Sequence, residues 1–171
     1  MAQKLTLEDA QESLTAHIAA KGAEIHEKYG PRIGWNELHL ILENRECTRY
    51  PCEIVFSDTA LRDGEFAYPV AKTENPEDGF IMQVHPFFST QPGHVPALVL
   101  YQLVLVNYGD FASPTDAEIF GAAVLGIPQE EYYNALCEMA DLVSEGVATA
   151  DPMAELEASG CGCGSGGCSG Q

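Results

Sequence analysis

The run Pro96-Ala97-Leu98-Val99-Leu100-Tyr101-Gln102-Leu103-Val104-Leu105-Val106-Asn107-Tyr108 is apolar almost all round. A segment with no polar face has to be enclosed on every side. It is too short to cross a bilayer, which takes roughly 20 apolar residues, so the rest of the chain must enclose it. We place a buried central helix over 97–108. A buried strand is the alternative that periodicity leaves open. The remaining elements must then be amphipathic, each turning one apolar face toward this segment.

Such elements can be read on both sides of it. Thr6-Leu7-Glu8-Asp9 is a helix start, with a hydroxyl N-cap and an acid at the third position. Leu7, Leu14, Ile18, Ile25 and Tyr29 then recur at helical spacing until Gly30-Pro31 stops the run, which predicts a helix over 7–29. The pattern next changes to period two. Leu38, Leu40 and Leu42 alternate within 35–43, with His39 on the opposite face, and predict a strand. Cys52 to Phe56, Phe66 to Ala71 and Phe80 to Phe88 read as three more strands, separated by turn dipeptides at Asp63-Gly64 and Asp78-Gly79. Short strands joined by turns predict an antiparallel meander.

After the central segment, Ser113-Pro114-Thr115-Asp116 opens a helix that runs to Leu125 and ends at Gly126. Pro128 opens the last helix, with Tyr132, Leu136, Met139, Ala140 and Val143 inward and an end near Gly146. The expected fold is therefore α+β: an N-terminal helix, an antiparallel sheet of about four strands and three C-terminal helices. It forms one globular domain over 1–146, followed by an acidic linker over 147–158 and a tail over 159–171.

The tail holds six glycines, three serines, three cysteines and one glutamine. That composition cannot bury a core and predicts a flexible tether. Its cysteines, Cys161, Cys163 and Cys168, are spaced C-x-C-x4-C with only Gly and Ser between them. Such spacers impose almost no conformation, so three thiolates can converge on one soft or borderline ion, Zn(II) or Cu(I), or on an Fe–S cluster. Three ligands leave a fourth position open, which suits a carrier rather than a closed structural zinc site.

Charge bears on the same question. The net charge is -18, and Lys72 is the last basic residue. Residues 1–72 balance to -4 and residues 73–171 to -14. Such a surface disfavours nucleic acid and anionic lipid, and favours cations or a basic protein surface. It also raises a thiol pKa while favouring a bound metal cation, which ranks metal above dithiol exchange for the tail. The N-terminus is polar and acidic without a signal-peptide pattern, so a cytoplasmic protein is expected.

Cys161-Gly162-Cys163-Gly164 is similar to the end of A-type iron–sulfur carrier proteins, over those four residues. Asp116 to Leu125 followed by Pro128 resembles the helix after the active site of small zinc peptidases. In that family an earlier helix carries HExxH. The corresponding stretch here, Leu100-Tyr101-Gln102-Leu103-Val104-Leu105, has none of those residues, so the resemblance implies a scaffold without catalysis. No G-x-S-x-G, P-loop or G-x-G-x-x-G occurs either.

A second ligand set lies inside the domain. Cys47 and Cys52 form a C-x4-C, and His85 and His94 bracket the following loop, which together would make a Cys2His2 site. Cys137 is expected to be a small core residue of the last helix, and His17 and His26 to be solvated. The leading reading is a cytoplasmic accessory protein, with no catalytic residue singled out. It binds or delivers a soft metal or Fe–S unit through the tail and exchanges it with a protein partner. A thiol redox partner using Cys161 and Cys163, and an acidic adaptor docking a basic protein, are the alternatives.

Overall fold

In the computed structural model, which describes residues 6–149, five helices and three strands follow one another. They are α1 (Leu7–Tyr29), α2 (Trp35–Glu43), β1 (Cys52–Phe56), β2 (Ala67–Ala71), β3 (Phe80–Val84), α3 (Val95–Tyr108), α4 (Pro114–Leu125) and α5 (Gln129–Thr149). The all-apolar segment is α3, a helix at the centre of the fold. It packs against α2, α4 and α5 and against β2 and β3. Leu98, Val99, Leu100 and Leu103 are fully enclosed. No helix among the described residues is long and apolar enough to cross a membrane.

Local chemistry sets the helix starts. Thr6 Oγ1 accepts from the Asp9 N–H at 3.1 Å and Asp9 Oδ2 accepts from the Thr6 N–H at 2.9 Å, closing a capping box on α1. Ser113 and Asp116 repeat the arrangement on α4, at 3.1 and 2.8 Å. Gly126 ends α4 in the left-handed region, φ +70°, which glycine adopts without a Cβ penalty. Along α1 the apolar face uses Leu14, Ile18, Ile25 and Tyr29 as expected, whereas Leu7 is exposed. Helix α5 continues past Gly146 to Thr149. The acidic linker and the tail lie outside the described residues, apart from 147–149 at the end of α5.

Two expectations are corrected. Residues 35–43 form a helix, not a strand. Leu38, Ile41 and Leu42 are its buried face at helical spacing, and Leu40 is 52% exposed. Glu37 accepts from the Gly34 N–H at 2.9 Å at the start of α2, and Thr48 Oγ1 donates to the Ile41 carbonyl at 2.9 Å near its end. These contacts satisfy helix-end groups that a strand would have turned to a sheet partner. The sheet therefore has three strands, in the order β1-β3-β2.

It is also not an antiparallel meander. β3 is central, antiparallel to β2 but parallel to β1, with Cys52 opposite Phe80 and Phe56 opposite Val84. The parallel pair is possible because the stretch between β1 and β3, which includes β2, is long enough to cross over. β3 stops at Val84, because Pro86 follows and cannot donate to a ladder; residues 86–90 coil into a 3-10 turn.

Helices α1 and α4 make the closest helix pair. Gly22 lets them approach: a Cβ there would sit 2.7 Å from the Ala123 Cβ and 3.0 Å from the Phe120 carbonyl oxygen. Asp116 fastens the same pair. Buried at the start of α4, it accepts from Thr15 Oγ1 at 2.6 Å and Gln11 Nε2 at 3.1 Å, both on α1. Burial alone pushes its carboxyl pKa up, but the bonds from Thr15, Ser113 and Gln11 outweigh this and hold it below the ordinary 3.8.

A depressed carboxyl contributes stability that is present above its unfolded value and lost as pH falls through the folded one. Asp116→Ala is therefore expected to cost about 2 kcal/mol at neutral pH. The gap from wild type should narrow below pH 3.8, as the native carboxylate itself becomes protonated. Urea unfolding across a pH series measures this; a gap that stays constant down to the acid limit would contradict it.

Candidate functional site

The four domain residues read as a ligand set are placed as follows. Cys47 lies buried in the loop between α2 and β1. Cys52 is half-buried at the start of β1. His85 follows β3, and its Nδ1 accepts from the Phe87 N–H at 3.2 Å. His94 is exposed at the start of α3, with its ring 6.3 Å from that of Phe88. Among the described residues, no three His, Cys, Asp or Glu side chains form a group able to hold a metal ion. These four are thus not brought together as a site. The two thiols also meet different charges: Lys28 and Lys21 act on Cys47, Arg45 and Lys72 on Cys52.

Other single residues depart from their expected settings. Cys137 is exposed, not part of the core. The inward stripe of α5 is Tyr132, Leu136, Met139 and Val143, and Cys137 lies a third of a turn away from it, beside Tyr133. His26 is half-buried; its Nδ1 donates to the Val124 carbonyl at 2.9 Å, and its ring fills the space that a side chain on Gly126 would need. His39 lies on α2 with its ring 4.6 Å from that of Trp35. His17 is exposed, as expected, and edge-on to Tyr108.

A polar cavity of about 250 Å³ lies elsewhere, between α1, the loop 44–51 and the end of α3. Lys21, Arg45, Cys47, Arg49, Asn107 and Tyr108 line it, with His17 and Glu46 completing the wall. The loop that carries its arginines is fixed from within. Asn44 accepts from the Cys47 and Thr48 N–H groups at 2.9 and 2.8 Å. Thr48 is fully buried and bonded to Ile41. Asn107, buried on α3, donates Nδ2 to the Cys47 carbonyl at 2.9 Å and accepts the Arg49 N–H on Oδ1 at 2.8 Å.

Thiol chemistry is suppressed at the two inner cysteines. Burial raises the Cys47 pKa against the opposing pull of Lys28 and Lys21. Burial pushes Cys52 up to about 12, against Arg45. Both are thiols, not thiolates, at neutral pH, and so are poor nucleophiles and poor metal ligands.

No protein-family model matches the chain, and no curated protein or solved structure matches it.

Spacing had singled out Cys47 and Cys52 and passed over Arg45, Arg49 and Asn107. The available signal was compositional: every basic residue falls within the first 72 positions, so any positive pocket had to be built there. With iodoacetamide on the folded protein at pH 8, Cys137 should be alkylated before Cys47 and Cys52. Urea should bring the three rates together. Peptide mapping by mass spectrometry reads the order, and early labelling of Cys52 would contradict the burial argument.

Proposed function

We propose that this is a cytoplasmic accessory protein that binds or delivers a soft metal ion or Fe–S unit through Cys161, Cys163 and Cys168. The observation that carries the reading is the sequence itself: three thiols on a Gly/Ser tether, in a chain with no Lys or Arg after residue 72. Thiolates bind Cu(I), Zn(II) or the iron of a cluster, and the surrounding negative charge favours a cation over a reactive free thiolate. The domain adds support, because its two inner thiols are held protonated by burial and compete poorly for metal. The open fourth position would be filled by a ligand of the protein partner that gives or receives the cargo.

A second reading has its own observation. The outward side of α5 presents Glu130, Glu131, Asn134 and Glu138 around a shallow groove, with no Lys or Arg among the described residues beyond 72. That face suits an adaptor docking a basic protein surface.

Elemental analysis of the anaerobically purified chain beside a truncation after Ala158 separates the two. The carrier reading expects near-stoichiometric metal in the full chain alone, lost when Cys161, Cys163 and Cys168 become serine. The adaptor reading expects no metal, and a partner retained after deletion of 159–171 but released at high salt. Absence of metal after reconstitution with Zn(II), Cu(I), and iron plus sulfide would overturn the carrier.

A further inference from the structure

We propose that the cavity between α1, the loop 44–51 and the end of α3 is a binding site for a small oxyanion: a phosphoryl or carboxylate group on a small molecule. This goes beyond the tail reading and does not rest on it.

The first argument is the charge distribution. Seven Lys and Arg fall among the described residues, and three of them, Lys21, Arg45 and Arg49, line this one cavity. In a chain of net charge -18, that is a local concentration of the rarer sign. Glu46 also lines the cavity, but its carboxylate faces Lys28 at 3.6 Å. Lys21 is paired with Glu24 at 2.9 Å. Arg45 and Arg49 form no ion pair with any described residue. Arg45 Nη1 instead donates to the carbonyls of Thr48 at 3.2 Å and Leu42 at 3.5 Å, which leaves Nη2 and Nε, and the Arg49 guanidinium lies 5.2 Å from the Tyr50 ring centre. Both guanidinium groups therefore keep donors free, and this planar fork matches a carboxylate or phosphate better than an ammonium does.

Rigidity is the second argument. Thr48 and Asn107 are two of the three buried polar residues in the described structure, and both are bonded to hold the loop that carries Arg45 and Arg49. A buried polar side chain is costly unless it is fully bonded. Placing two of them under one loop fixes its backbone before any ligand arrives, so that only the exposed arginine side chains remain to be ordered on binding. Tyr108 adds a phenol to the lining.

The cavity, about 250 Å³ and open to solvent, seats a group of several heavy atoms. The negative field of the rest of the chain acts at range and is screened beyond about 8 Å at physiological salt, whereas a ligand here is in direct contact.

The test is an NMR titration of the full chain with inorganic phosphate and, separately, with succinate. Saturable shifts centred on Lys21, Arg45, Arg49 and Tyr108 are expected, and the tighter arm identifies the oxyanion. The double variant R45Q/R49Q should weaken binding about tenfold or more; R49Q alone, whose side chain forms no hydrogen bond with any described residue, should weaken it with an unchanged thermal melt, whereas R45Q also removes bonds to the Thr48 and Leu42 carbonyls. The control R62Q/K72Q removes the same charge at a distance and should bind as wild type. No saturable shift in either arm, or equal weakening by the control pair, would overturn the site.

Discussion

The fold depends on enclosing α3. A helix without a polar face can be stable in water only if other elements cover it all round, and here two layers do so: β2 and β3 on one side, α2, α4 and α5 on the others. Covering a helix completely leaves little room for polar groups. The few that remain inside are spent on fastening elements together. Asp116 ties α4 to α1, Thr48 ties the loop 44–51 to α2, and Asn107 ties that loop to α3. The Tyr132 hydroxyl donates to the Ala97 carbonyl at 2.6 Å and joins α5 to the start of α3. No buried side-chain nitrogen or oxygen among the described residues lacks a partner, as a well-formed interior requires.

How much of this could be read from the chain follows from the range of the forces involved. α1 and α4 were legible to within a residue because their starts are local chemistry: hydroxyl, acid, and proline in the first turn of α4. α2 was not. Nine residues with Leu38, Leu40 and Leu42 satisfy period two, and Leu38, Ile41 and Leu42 satisfy period 3.6 equally well. What favours the helix lies at the ends of the run, outside the periodicity: Glu37 accepts from the Gly34 N–H, and the buried Thr48 hydroxyl, seven residues on, meets the Ile41 carbonyl. Strand order was illegible for the same reason. β1 and β2 look alike as alternating runs, and only the shared partner β3, reached from β1 by a long crossover, makes one pair parallel and the other antiparallel.

The site divides in the same way. Cysteine spacing is visible in any chain, so Cys47 and Cys52 stood out, yet the fold buries both thiols in separate surroundings and holds them protonated. Arginines carry no spacing signal. Arg45 and Arg49 acquire meaning only when Lys21, 24 residues earlier, and Asn107, 58 residues later than Arg49, arrive at the same cavity. The sequence did show that cations are confined to the first 72 residues. It could not show that the fold would gather three of them.

That confinement gives the molecule two electrostatic halves. Residues 6–72 form α1, α2, β1 and β2 and hold every described Lys and Arg. The later elements supply the enclosed helix and two helices whose ionisable side chains are all acidic. A cation-binding tail and an oxyanion-binding pocket would therefore draw on opposite halves. Their charge requirements do not compete: removing acids from α5 would leave Arg45 and Arg49 in place, and neutralising those arginines would leave residues 73–171 still without a Lys or Arg. The two proposed sites can thus be tested separately.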